Sequence, residues 1–367
     1  MQNNELAGFG NDSFDKICTD SVELIKYVRN TVANQVNVFQ TMTYYCIGKW
    51  IVEEQQRGEK RAKYGRQVLK QLSEWLNQEF GKGFSVDTLE NMRKFYLVYQ
   101  GRISENLYRK FAVEKSEKAS RILNEEQPFQ LSWSHYVMLM RMEDETERQF
   151  YEIECIKNGW SLPELKRQFG SALFERIALS TDKDQIKQLA LKGQIVKNAS
   201  NVVKDPYVLE FLGLEEKFQY SETELENRIL DNLQKFLLEL GTGFAFVARQ
   251  KRFTFDEEHF RVDLVFYNRL LKCFVLFDLK IGELKHQDLG QMQMYVNYYD
   301  RYEKTEDENP TIGILLCNEK KDALVELTLP KDSNIFASKY QLYLPDKKIL
   351  KEKLKEWMED AGGELDG

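Results

Sequence analysis

Two apolar runs, Phe260 to Tyr267 and Cys273 to Leu279, each carry one acid, Asp263 and Asp278, and Lys280 follows the second acid by two positions. A charge inside an apolar run costs free energy unless something pairs with it, so these three residues are where chemistry is first to be sought. Both runs read as strands, and the polar, turn-compatible interval beginning at Asn268 predicts a hairpin between them. Side chains repeat every second position along a strand, so Asp278 and Lys280 share a face. With the turn centred near Arg269 to Leu271, antiparallel pairing sets Asp263 opposite residue 277 or 278. Two carboxylates and an amine then meet at one end of the hairpin. Such a set suits a divalent-metal site that hydrolyses phosphodiesters: carboxylates hold the ion, the ion activates water, and lysine orients the water or offsets developing charge.

The elements that must position these residues can be read outward from the hairpin. Upstream, SETELENRILDNLQKFLLELG predicts a helix of roughly five turns, with Ser221 and Glu224 as a capping box and Gly241 as its stop. Its apolar stripe is Leu225, Ile229, Leu233, Phe236, Leu237 and Leu240, and Glu226 lies beside that stripe, which makes it the candidate for an inward carboxylate. GFAFVARQKRFTF reads as an outer strand broken by its basic stretch. There Gln250, Lys251 and Arg252 either line an approach for a phosphate backbone or decorate a solvated hairpin. Downstream, GELKHQDLGQMQMYVNYYDRYE predicts a helix in which Gln291 and Tyr295, four apart, share a face and could touch a phosphate or orient Lys280. His259 and His286 lack a partner at zinc-ligand spacing, and ordinary surface or core roles suit them better. TIGILLCNEK predicts a further strand, Leu324 to Leu327 and Gln341 to Leu344 add short candidates, and a charged, peripheral helix is expected over Asp346 to Met358. The order predicts a mixed sheet with helices on its faces.

The N-terminal half is helical in pattern and has no evident catalytic constellation. Residues 1 to 20 are polar, and Leu24, Tyr27 and Val28 begin an apolar face that continues through Val36, Phe39, Tyr44, Ile47 and Ile51. Val68 to Phe80 predicts another helix, with Gly81 and Gly83 at its end and Ser85 starting the next. A similar piece recurs as NGWSLPELKRQF, with a turn at Gly159, Pro163 in the first helical turn and a Ser161 to Glu164 capping box. Each piece could be the second helix of a helix-turn-helix. In the later one, Lys166, Arg167 and Gln168 either meet nucleic acid or are ordinary exposed polar residues on a packing unit. The domain boundary is expected near 210 to 220, giving a helical domain over 21–215, a second domain over 216–350 and a charged tail over 351–367.

Composition bounds the partners and the setting. The chain has 367 residues and a formal net charge of -7, so any polyanion must meet a local basic patch. Five cysteines, at 18, 46, 155, 273 and 317, form no close pair and no disulfide framework. With no signal peptide and no apolar run long enough to cross a bilayer, a reducing cytoplasmic setting without membrane association is expected.

Glu226, Asp263, Asp278-Leu279-Lys280 and Gln291-x-x-x-Tyr295, in that order, resemble the PD-(D/E)xK nuclease superfamily, with Val262-Asp263 where the superfamily has a loosely kept Pro-Asp pair. More narrowly, FLLELGTGFAFVARQ, VDLVFYNRLLKCFVLFDLK and GQMQMYVNYYD resemble the nuclease domain of the YhcG-like family. LSWSHYVMLMRMEDETERQFY and NGWSLPELKRQF resemble that family's helical N-terminal domain, of the DUF1016 type. The resemblance covers nearly the whole chain, roughly Ser21 to Leu350. It implies an α+β protein: a helical N-terminal domain with helix-turn-helix-like units, then a restriction-endonuclease-like mixed sheet flanked by helices. It implies Mg2+ or Mn2+ held by Asp263, Asp278, the Leu279 carbonyl and Glu226, with Lys280 at the attacking water and Gln291 and Tyr295 in support. It implies DNA cleavage, linked to restriction, recombination, repair or phage defence and their partner proteins, with a homodimer as one way of making paired cuts. An RNA substrate, or a nuclease-like subunit that binds DNA or a partner without cutting, stays open on the sequence. Asp at 278, where Glu is more frequent, shortens the ligand's reach by one methylene.

Overall fold

The computed structural model describes residues 35–56, 62–114, 127–179, 183–194, 196–214, 220–255, 257–330 and 333–359. The expected positions of Leu24, Tyr27 and Val28, the polar start of the chain and Cys18 lie outside them. The chain divides into two compact units, one up to Asp144 and one from Glu145.

The first unit is helical, with α1 (35–56), α2 (Ala62–Phe80), α3 (Val86–Val98), the short α4 (Glu105–Tyr108) and α5 (Trp133–Leu139). Ser85 caps α3 by accepting the Thr88 N–H at 3.2 Å, as its place after the glycine turn predicts. Ile51, Leu69, Leu89 and Met92 form a buried cluster under Tyr44, Ile47 and Trp133. A second layer centres on Phe95, whose ring meets those of Phe129, Trp133 and Tyr136 at 4.8, 5.3 and 5.2 Å.

The second unit holds α6 (Glu145–Asn158), α7 (Leu162–Gly170), α8 (Leu173–Leu179) and α9 (Lys183–Lys192), followed by a six-stranded mixed sheet. Its strands are β1 (Tyr207–Val208), β2 (Phe244–Phe255), β3 (Glu258–Asn268), β4 (Cys273–Glu283), β5 (Ile312–Glu319) and β6 (Ile335–Gln341), in the order β1-β6-β5-β4-β3-β2. β2, β3 and β4 pair antiparallel, whereas β4–β5, β5–β6 and β6–β1 pair parallel. The division falls well before 210 to 220 because α6 to α9 belong with the sheet: Arg167 on α7 and Arg176 on α8 bond to Glu210 and Glu239.

Two helices, α10 (Glu222–Asp231) and α11 (Leu233–Leu240), stand where one of five turns was expected, broken at Asn232. Ser221 accepts the Glu224 N–H at 3.1 Å. Leu225, Ile229, Phe236 and Leu240 cover one face of the sheet through Leu264, Phe266, Val275, Phe277 and Ile314. The other face packs through Val262, Val265, Leu276 and Leu315 against α12 (His286–Tyr298). Gly313 permits that approach: a Cβ there would lie 2.7 Å from Met292 Sδ.

Three short assignments change. Leu324 to Leu327 lie in a helix, α13 (Asp322–Thr328), and the last strand is β6, so of Gln341 to Leu344 only Gln341 is paired. The final helix, α14 (Lys347–Glu359), is not peripheral, because Lys347 and Lys351 both pair with the buried Glu147 of α6. The span 351–367 therefore begins inside a helix. Cys46, Cys155, Cys273 and Cys317 are free and buried, and no described helix is long and apolar enough to cross a membrane.

Candidate active site

The hairpin forms as its pattern predicts, and its register brings the acids together at the point where the ladder ends. β3 and β4 pair from Asn268↔Cys273 to Leu264↔Phe277 and no further. The next residues in that register are Asp263 and Asp278. Instead of continuing the ladder, the Asp263 side chain accepts the Leu279 N–H through Oδ2 at 2.8 Å. β4 beyond this fork continues against β5 alone, from Asp278↔Leu315 to Lys280↔Cys317. A carboxylate thus satisfies a backbone donor that an adjacent strand would otherwise take.

Asp278 is 3% exposed. Lys280 Nζ lies 2.8 Å from Asp278 Oδ2, within ion-pair distance of that oxygen. We read the close approach as a charge contact. Burial, followed by the charge of neighbouring Asp263, raises the Asp278 carboxyl well above the ordinary carboxylate range. Burial works against the Lys280 ammonium, but Asp278 outweighs it and the amine is held above its ordinary value. Glu222 Oε2, one turn before Glu226 on α10, stands 4.0 Å from Lys280.

Glu226 is buried, as its place beside the apolar stripe predicts, and reaches the same centre from α10. Burial, then the charge of Asp263 among the other influences, raises its carboxyl. Gln250 joins the two acids: its Nε2 donates to Glu226 Oε2 at 2.5 Å and to Asp263 Oδ1 at 3.1 Å. Its backbone sits at φ 46°, unusual for a residue with a Cβ, inside a β2 that runs on unbroken through the basic stretch. Gln250 is therefore turned toward the acids and not along a solvated edge. Lys251 and Arg252 are exposed beside it, and Arg249 Nε lies 3.3 Å from Glu226 Oε1. Sequence reasoning missed Arg249 and Glu222. For Glu222 the signal was available, since it precedes Glu226 by four positions on one helix.

On the other face, α12 presents Gln291 and Tyr295 together, and Gln291 Nε2 donates to Tyr295 Oη. Burial, and secondarily the charge of Asp278, pushes the Tyr295 phenol up to about 12. Gln291, Tyr295, Asp263, Asp278 and Lys280 thus converge from β3, β4 and α12. His259 bonds Thr254 at 2.9 Å, away from the acids.

The second polar segment singled out in the sequence goes elsewhere. Arg167 bonds Glu210 at 2.9 Å and Glu239 at 3.3 Å, while Gln168 is buried and donates to the Leu238 carbonyl at 3.0 Å. Both hold α7 to the sheet unit, and only Lys166 of the three is exposed. The capping box of Ser161 and Glu164 forms, following Gly159 at φ 62°.

The donor set suits a hard cation that prefers oxygen: two neighbouring carboxylates share one lysine, and the raised acid is one that a further positive charge would relieve. Among the described residues no three His, Cys, Asp or Glu side chains form a ready metal cage, and Glu226 is separated from Asp263 by the Gln250 amide. Asp263 and Asp278 are thus the carboxylates that meet at the fork, and Glu226 is linked to Asp263 through Gln250.

Comparison with known proteins divides the chain later than the two compact units do. The profile described as the YhcG PDDEXK nuclease domain matches residues 200–355, and that of the DUF1016 N-terminal domain matches residues 20–176. A relative in Escherichia coli (strain K12), described as "Putative nuclease YhcG", is 38% identical over 353 residues, covering 93% of each chain. Among solved structures, a repair endonuclease from Pyrococcus abyssi is 20% identical over 36% of this chain and 50% of its own, with a TM-score of 0.24. An EndoMS-dsDNA2 complex is 17% identical over the same shares at 0.25. This chain spans half of either structure, and the two scores are too low to bear on fold or activity.

Proposed function

The chain belongs to the family of YhcG-like PDDEXK nucleases, and on that premise we propose that it is a divalent-metal-dependent nuclease hydrolysing DNA phosphodiester bonds at Asp263, Asp278 and Lys280. The observation that carries this reading is the fork between β3 and β4, where two acids of adjacent strands share a buried corner with one lysine. Asp278 is buried beside Asp263 with Lys280 as its paired cation, so the two acids carry one more negative charge than that lysine offsets, an excess that a bound cation would relieve.

Bound Mg2+ or Mn2+ would supply Lewis acidity toward a phosphate oxygen and a lowered pKa for bound water. Asp263 and Asp278, with the Leu279 carbonyl, would hold it. The chain's own groups do the rest. Lys280, held as an ammonium by Asp278, stands beside the position of the scissile phosphate and offsets negative charge on its oxygens and on the leaving 3' oxygen. Its elevated proton affinity favours this electrostatic role over that of a general base. Glu226 and Gln250 fix the orientation of Asp263 from behind, and Tyr295, braced by Gln291, donates toward the phosphate. Lys251 and Arg252, exposed on the same strand as Gln250, favour a phosphate backbone despite the net charge of -7.

The test is a cleavage screen with Mg2+ and Mn2+ over single-stranded, duplex and branched DNA and the matching RNAs. Wild type is expected to cut at least one DNA architecture, and Asp278→Ala to reduce the rate by about 10³-fold or more. Cutting by Asp278→Ala at the wild-type rate would overturn the site assignment, and cutting of RNA alone would overturn the choice of DNA.

A further inference from the structure

Beside the acids, the strand that carries Gln250 continues into an aromatic surface that the chemistry above does not use. Phe253 meets Tyr295 edge-on at 5.7 Å and stacks on Tyr298 at 4.0 Å with an interplanar angle of 18°. Tyr298 in turn lies 5.2 Å from Tyr302, and Phe260 stacks on the other side of Phe253 at 5.5 Å. The rings therefore form a continuous series that begins at a residue of the site and ends in solvent. Phe255 is 52% and Tyr302 62% exposed, and with Phe253 and Tyr298 they line a groove of about 290 Å³.

Large aromatic side chains left in water need a partner to offset the exposure. The surroundings define its chemistry. Gln293, Asn297 and Arg301 edge the groove, supplying amide groups for base edges and a guanidinium for phosphate. Lys251 lies two positions before Phe253 on β2 and shares its face of the sheet, whereas Arg252 and its cross-ladder partner Arg261 lie on the opposite face. Lys251 and Arg301 thus supply the positive charge on the side of the rings. Glu257 and Glu258 lie at the hairpin tip, Glu258 directly across the ladder from Phe255. A duplex buries its base faces in its own stack, whereas an unpaired base offers a face to any aromatic ring.

We infer that this groove is a stacking site for an unpaired nucleobase of the strand whose backbone reaches Asp263 and Asp278, making single-stranded or locally unpaired DNA the substrate class. The inference rests on the nuclease reading above, and it gives that reading a preference among DNA architectures.

The experiment titrates the full-length chain, without divalent metal, into a single-stranded oligonucleotide and a blunt duplex, each carrying 2-aminopurine, whose fluorescence falls when it stacks. Quenching is expected with the single strand and not with the duplex. Phe255→Ala/Tyr302→Ala should bind the single strand about 10–100-fold more weakly and lose the quenching. Phe255→Trp and Tyr302→Phe should retain both, and circular dichroism checks that every variant folds. Wild-type binding and quenching in the double alanine variant would overturn the inference. So would a change of oligomeric state with oligonucleotide binding intact, since the groove would then serve a protein. The two readings fail separately: a wild type that cuts no nucleic acid with Mg2+ or Mn2+ overturns the nuclease, whereas cutting of single strands unaffected by the double substitution overturns the stacking site alone.

Discussion

Two buried charged clusters sit in the sheet-bearing unit, and they are balanced differently. The first joins Arg167, Arg176 and Lys204 to Glu210 and Glu239, with the buried Glu154 also interacting with Lys204, three cations for three carboxylates. Glu239 receives Arg176 at 2.6 Å and the Val208 N–H at 3.0 Å, while Arg176 also donates to the carbonyls of Ser171 and Pro206. The second sets Glu222, Glu226, Asp263 and Asp278 against Arg249 and Lys280, four carboxylates for two cations. Burial opposes both Glu239 and Asp278, yet Arg176, Lys204 and Arg167 overcome it and bring Glu239 down to about 2, whereas Asp278 is raised. A saturated cluster clamps helices to a sheet. A cluster with more carboxylates than cations has a place for further positive charge.

The contrast is sharpened most by Glu239→Gln. Removing one partner from a buried, bonded ion cluster costs about 3–5 kcal/mol, so the melting temperature should fall by roughly 6–20 °C, read by calorimetry. Cleavage per folded molecule should stay at the wild-type level. Lost activity without lost stability would mean that the two clusters are not functionally distinct.

Gln250→Ala probes the deficient cluster from its supporting shell. With the link between Glu226 and Asp263 gone, cleavage or metal affinity should fall about 10–100-fold, with little change in melting temperature. An unchanged rate would remove Gln250 from the site.

The same Glu239 cluster also shapes the acid limb of stability. Glu239 titrates near 2 when folded and near 4.5 ordinarily, so its contribution is fully present above about 4.5 and is lost as pH falls through the folded value. In Glu239→Gln the loss of stability between pH 4.5 and 2 should be shallower by up to about 1.4 kcal/mol per pH unit. Parallel denaturation curves over that range would contradict the pairing.

Much of this was legible in the sequence because it depends on local periodicity. The hairpin, the acids on its strands, Glu226 beside an apolar stripe and the pairing of Gln291 with Tyr295 all follow from repeats of two or four residues. What was not legible depends on distant partners. Arg167 has the pattern of a surface residue, and Glu210 and Glu239, 43 and 72 positions later, make it a clamp. Gln250 reads as part of a basic strand, and its positive φ and its bonds to Glu226 and Asp263 have no local signal in the sequence. Leu324 to Leu327 was too short an apolar run for its period to separate helix from strand.

The central claim, that Asp263 and Asp278 form a centre built to accept a cation, is tested most directly by titrating Mn2+ into metal-free protein by calorimetry without nucleic acid. The account predicts a specific site in wild type and in Glu239→Gln that disappears in Asp278→Ala. Equal Mn2+ affinity in Asp278→Ala and wild type, or no specific binding in wild type, would contradict it.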